Sequence, residues 1–318
     1  MHHPNQRALR LCLCNMNNGH PNQAMRCFQV IIDTFFASVR RQNPGLACEL
    51  VVVEPRNKGE LPPRDCDLYL SSGGPGTPYE HDGEPWLDDM YSFYDWVVER
   101  RLQLGPGGPS LLGVCYTYEL LVRHFRVGGV EPLTERKFGV MPVYTTKSGL
   151  AHPLTEPFGD RLFAFEHRNW EAIDVDEGSL RAIGGRVLAR ESRDGVSKGR
   201  AILAMHFAPG VEGTQFHPEA DRPGVIAWVS KRDQAQAFVR AYGRLTYDRM
   251  IKTLDDPQRL AKTFALMIPG WLTRQFNDMG ERRGWTPLPP PGLDMATFAG
   301  GAPPAASVRH DDIFDDDV

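Results

Sequence analysis

Gly113-Val114-Cys115-Tyr116-Thr117-Tyr118-Glu119-Leu120 is the stretch that decides how this chain is read. The apolar run 109–115 (PSLLGVC) has the length and composition of a buried strand, and 116–125 (YTYELLVRHF) is amphipathic at helical spacing. Cys115 therefore stands where a strand turns sharply into a helix. Such a turn lifts the sulfur onto the upper edge of a sheet and faces it towards the helix N-terminus, where the dipole and free N–H groups favour thiolate. This is a nucleophile elbow written for sulfur.

Working outward, residues 8–16, 48–54 and 67–74 are short apolar runs that read as strands. Residues 22–41 and 85–104 carry apolar side chains at helical intervals. Strand–helix alternation predicts an α/β fold, a doubly wound and mostly parallel sheet, with chemistry at the C-terminal ends of its strands. Beyond the elbow helix the pattern becomes β segments joined by Gly and Pro turns. Among them, 201–207 and 211–217 form an expected hairpin around Pro209-Gly210. From about residue 229 the chain reads as helical again, over 231–255 and 257–279, with breaks expected at Pro257 and Pro269. From Trp285 it turns proline-rich and then acidic, a composition that predicts a flexible tail. The expected organisation is an α/β domain over 1–228, a helical extension over 229–284 and a tail over 285–318.

Two further motifs bear on the cysteine. Ser71-Ser72-Gly73-Gly74-Pro75-Gly76 follows the third strand. Its glycines let the backbone approach a ligand and turn an N–H inward, so Gly74 and Tyr116 are the candidate N–H donors to an oxyanion. Gly213-Thr214-Gln215-Phe216-His217-Pro218-Glu219 closes the hairpin. The residue before a proline favours extended backbone, which projects His217 from the end of its strand. Glu219 is placed to accept from the imidazole Nδ1–H, fixing the tautomer that leaves Nε2 facing the sulfur.

Glycine turn, cysteine elbow and histidine–glutamate, in that order, resemble the class I (triad-type) glutamine amidotransferase family, including the GMP synthase glutamine amidotransferase-like domain. SSGGPG, GVCYTYEL and GTQFHPEA match its three motifs, and KFGVMPVY and FEHRNW continue the likeness, which spans residues 8 to about 228. The resemblance implies a flavodoxin-like sheet and a triad of Cys115, His217 and Glu219 acting on a γ-amide such as glutamine. It also implies substrate contacts around Gly73, Glu119 and His167. The family's elbow usually reads Cys-x-Gly-x-Gln or Cys-x-Gly-x-His; here Thr117 and Glu119 hold those places. Neither metal nor organic cofactor is implied. The chain contains no GxxxxGK[ST] loop, so an ammonia-accepting synthase is expected to be a separate protein. Two alternatives stay open. One is a Cys-dependent acyltransferase or γ-glutamyl hydrolase on the same scaffold, suggested by Glu119; the other is a non-catalytic partner-binding protein.

Composition narrows the classes. Five aspartates lie in the last eight residues, and without them the formal net charge of −4 becomes about +1. A near-neutral body offers no electrostatic case for nucleic acid or an anionic membrane. No apolar run has membrane-spanning length, and the N-terminal apolar stretch, Leu11 to Leu13, is too short to read as a signal peptide. Six cysteines without CxxC spacing point to reduced thiols in a cytoplasm, with Cys12 and Cys14 packing in the core and not on a metal. His206, within a hairpin strand, reads as structural. The loop Asn15–His20 reads as a rim of the active edge, and the stretch 231–279 packs on the core or forms a dimer or partner surface.

Overall fold

The computed structural model describes residues 8–194 and 199–292; most of the expected tail, 293–318, lies outside the described residues. In chain order the elements are β1 (Leu9–Cys14), α1 (Gln23–Gln42), β2 (Cys48–Val53), α2 (Pro55–Lys58), β3 (Leu68–Ser71), α3 (Pro85–Leu104), β4 (Ser110–Val114) and α4 (Tyr116–Phe125). These are followed by β5 (Gly129–Thr145), α5 (Lys147–Leu150), β6 (Arg161–Ile173), α6 (Glu177–Ala182), β7 (Arg186–Arg190), β8 (Ile202–Ala208) and β9 (Val211–Thr214). Four helices close the described chain: α7 (Arg222–Val229), α8 (Arg232–Tyr242), α9 (Arg244–Thr253) and α10 (Leu260–Arg283).

The strands form one sheet in the order β2-β1-β3-β4-β9-β8-β7-β5-β6. The first five run parallel in the flavodoxin-like order, and β8, β7, β5 and β6 extend the sheet antiparallel. The fold is α/β, with the doubly wound parallel half that the sequence predicts. Its register sets the site: Ser71 lies opposite Gly113 and Val114 opposite Thr214. The glycine turn, the elbow and the histidine segment must therefore leave the sheet side by side.

Alternation along β1 divides the core in two. Leu9, Leu11 and Leu13 face a cluster with Phe28, Ile32 and Phe36 of α1, while Cys12 and Cys14 face Phe93, Tyr94 and Leu121 on the other side. Both cysteines are buried free thiols, as packing residues should be. Helix α1 starts on Asn22, whose side chain accepts from the Ala24 and Met25 N–H groups.

The C-terminal helices differ from expectation in three places. Stretch 231–255 is two helices parted at Gly243, whose φ is +81°. Helix α10 runs unbroken through Pro269. Its inner face places Met267, Ile268, Trp271, Leu272 and Phe276 in the same cluster as α1, and this burial outweighs the hydrogen bond that proline removes. Within the stretch expected to be tail, the first residues are packed: Trp285 stacks on Phe276 at 5.0 Å, and both it and Leu288 are buried. Asn43 bonds the Thr286 backbone and Asn277 that of Leu288, which satisfies the polar groups of a proline-rich segment. A second cluster, Phe138, Val225, Phe238, Tyr247 and Met250, seats α7–α9 on the antiparallel end. None of the described helices is long and apolar enough to cross a membrane.

Trp285→Ala should cost about 3 kcal/mol of unfolding free energy, the usual loss for emptying a buried aromatic site. Denaturant unfolding that leaves the midpoint unmoved would show the segment to be an unattached tail.

Candidate active site

Cys115 has φ +49° and ψ −104°, the left-handed strain of an elbow, and a β-carbon at such an angle costs of order 1–3 kcal/mol. The strain is held from both sides: its N–H donates to Thr214 O at 2.8 Å, and its carbonyl accepts from Glu119 N at 3.0 Å. The thiol faces a cavity of about 510 Å³, lined by Gly73, Gly74, Cys115, His217 and Glu219, with Phe165, His167, Val225 and Trp228 on one wall. The rim loop contributes Asn17 and His20.

Strand β9 stops at Thr214, three residues short of the expected end. His217 is fixed instead by a single bridge to Phe165 of β6, its N–H donating to Phe165 O at 2.8 Å. Its ring turns back to the elbow and lines the same cavity as the Cys115 thiol. Nδ1 lies 2.8 Å from Glu219 Oε1, and Glu219 is almost wholly buried. Burial on its own lowers the pKa of His217, but the charges of Glu219 and Cys115 outweigh it and hold the imidazole well above its ordinary value.

Gly73 is where the pair meets the glycine turn. A β-carbon there would stand 2.9 Å from His217 Cε1 and 3.1 Å from Cys115 Cβ, so only glycine lets the backbone pass this close. Gly74 lines the same cavity, and Tyr116 opens α4 with its ring under the guanidinium of Arg56.

The two departures in the elbow are accommodated differently. Thr117 finds its room at Gly113, where a β-carbon would press within 2.8 Å of Thr117 Cγ2. Its hydroxyl donates to Ser72 O at 2.9 Å and meets Ser71 Oγ at 2.7 Å, tying the elbow helix to the glycine turn. Glu119 does not reach the cavity, contrary to the substrate role expected for it. One helical turn past the cysteine, it points into the core and accepts from Gln215 Nε2 at 2.9 Å. Burial pushes its carboxyl up to about 7, against the opposing Gln215 hydrogen bond. Gln215 Oε1 is buried without a hydrogen-bond partner.

His167 is placed at the cavity rim, stacked on Phe165 and edge-on to Trp228 at 5.5 Å. The wall residues Val225 and Trp228, and the cation Lys231, were not legible from motifs. The usable signal was Asp221-Arg222-Pro223, a helix start that turns α7 towards the cavity. A separate group, His152, His206 and Glu212, brings donor atoms within 4.8 Å of one another. Arg274 already covers both Glu212 oxygens, at 2.9 and 2.7 Å, and Trp271 Nε1 donates to one of them. His152 accepts the Leu154 N–H on Nδ1, which leaves its Nε2 a donor to Glu212 at 3.2 Å. These contacts make a neutralised anchor between β9 and α10.

The sequence matches no protein-family model and no curated protein. Solved structures share the fold. SMU.1228c is 15% identical with a TM-score of 0.55, over 84% of this chain and 99% of that one. A glutamine amidotransferase from Thermotoga maritima is 14% identical with a TM-score of 0.49, over 87% of this chain and 99% of that one. A putative GMP synthase component from Thermoplasma acidophilum is 16% identical with a TM-score of 0.44, over 74% and 97%. Taken with the strand order, the likeness to SMU.1228c shows a shared α/β fold built on a flavodoxin-like parallel half.

A carboxyl held near 7 keeps, between about pH 4.5 and 7, a proton that the unfolded chain has lost. Folding stability from this group therefore falls as pH rises through that window, and the charged form is a burden above it. Glu119→Gln should leave stability nearly unchanged at pH 4.5 and raise it by about 2–3 kcal/mol at pH 8. Unfolding curves showing the same difference at both pH values would refute this.

Proposed function

We propose that this chain hydrolyses a γ-amide, glutamine or a γ-glutamyl compound, through a thioester on Cys115, and that the ammonia passes to a separate acceptor protein. The observation that carries the proposal is the convergence of Cys115, His217 and Glu219 on one cavity beside two candidate oxyanion donors. In this reading the Cys115 thiolate attacks the amide carbonyl. The Gly74 and Tyr116 N–H groups then hold the resulting oxyanion, which is where such sites gain most. As the intermediate collapses, the His217 imidazolium gives its proton to the departing amine and the C–N bond breaks. Water, deprotonated by His217, then attacks the thioester; the acid leaves and the thiolate is restored. Glu219 keeps the ring oriented and stabilises its cationic form throughout.

One observation favours a donor larger than free glutamine. The wall of Phe165, Val225 and Trp228 suits an apolar leaving group or acyl chain. A γ-glutamyl hydrolase or an acyltransferase uses the same thioester.

A panel of glutamine, asparagine, γ-glutamyl amides and acyl-CoAs tests both readings, with mass spectrometry of the Cys115 adduct naming the acyl group. Cys115→Ser should reduce turnover to background. Glu219→Gln should lower kcat by about 10²- to 10⁴-fold with the fold retained. Undiminished hydrolysis by the serine variant would rule out the assignment.

A further inference from the structure

We infer that Ser72 and Arg56 are positioning residues that hold the Gly73–Gly74 peptide in the single orientation presenting the Gly74 N–H to the reacting carbonyl, so that this oxyanion donor is set before substrate arrives. The inference rests on the thioester reading of Cys115. A peptide between two glycines is unusually free to flip, because opposite rotations on its two sides meet no β-carbon. Yet the contacts of Gly73 with Cys115 and His217 demand glycine there. The freedom that close approach requires must therefore be removed by other groups.

Ser72 removes it locally. Its hydroxyl donates to Gly73 O at 2.9 Å and accepts from Met16 N at 2.9 Å, and the residue is wholly buried. The described peptide bonds are all trans, and in a trans peptide the carbonyl and the following N–H point in opposite directions. With the Gly73 carbonyl held down on Ser72, the Gly74 N–H is turned away from the interior, to the side on which both glycines line the cavity.

Arg56 fixes the rest of the loop. Its guanidinium is fully buried, with Nη1 donating to Met16 O at 2.9 Å and to Pro75 O at 2.8 Å, and Nη2 to Glu80 Oε1 at 2.6 Å. A β-carbon on Gly74 would stand 2.8 Å from Nη1, so the fork packs directly on that residue. Its carbon lies 4.1 Å from the centre of the Tyr116 ring, the residue offering the second donor N–H. One cation thus joins the turn after β1, the glycine turn after β3 and the first residue of α4. Burying it is costly, and its carboxylate partner Glu80 is a third exposed. A lysine keeps the charge but not the planar fork that spans two carbonyls and a carboxylate.

Two reactions of Cys115 in the full chain separate this role from general damage. Alkylation by iodoacetamide forms the C–S bond as iodide leaves, with no oxyanion on the way. Acylation by p-nitrophenyl acetate passes through a tetrahedral oxyanion before p-nitrophenolate leaves. In Ser72→Ala and in Arg56→Lys the acylation rate should fall at least about 10-fold while alkylation stays within about 2-fold of wild type. Both rates unchanged, or both falling together in a folded variant, would overturn the inference. So would a wild-type ratio of acylation to alkylation no higher than that of N-acetylcysteine. Two variants are used so that misfolding of one leaves the other to decide. Wild type that acylates from the ester yet hydrolyses none of the amides would dismiss the amide reading, while the rate comparison still judges Ser72 and Arg56.

Discussion

Parallel hydrogen bonding between β3, β4 and β9 is the constraint on which the rest of the molecule depends. It brings Ser71 opposite Gly113 and Val114 opposite Thr214, so three segments far apart in sequence emerge at one edge of the sheet. The Cys115 N–H, bonded to Thr214 O, continues that ladder one residue past the strand and anchors the strained turn to its neighbour. A shift of register by one residue would turn every side chain to the opposite face. The sulfur, the imidazole and the glycine turn would then no longer share a cavity.

The cost of the elbow is spread over its surroundings. Gly113 yields the space that Thr117 occupies, so the strand–helix crossing stays close although the threonine stands where glycine is usual in the resembling family. The Thr117 hydroxyl then links α4 to Ser71 and Ser72, which carry the glycine turn. Strained backbone persists only where its surroundings over-determine it, and here hydrogen bonds arrive from β9, β3 and α4 together. Glu119 and Gln215 add a buried strut between the elbow helix and the segment that carries His217.

Away from the site, α10 packs into the central core. It shares its apolar face with α1, and its Trp271 and Arg274 grip Glu212 in β9, two residues before Thr214. Burial alone would raise the Glu212 carboxyl, but Arg274 and the imidazoles of His206 and His152 outweigh it and hold it at about 2. The ionised carboxylate therefore fastens the helix to the strand that leads into the histidine segment.

Local pattern in the chain was enough to determine the element types, the parallel half of the sheet, the elbow at Cys115 and the pairing of His217 with Glu219, because periodicity, glycine turns and short-range spacing are written in neighbouring residues. The burial of Trp285 and Leu288, the passage of α10 through Pro269 and the bridge that holds His217 on Phe165 depend on partners distant in sequence. Glu119 shows the difference most sharply: its motif position suggests a ligand contact, but the rotation of α4 on the sheet turns it inward to Gln215. Only the packed structure decides which face of a helix meets a cavity, because that choice is set by the volumes and hydrogen-bonding needs of all the elements at once.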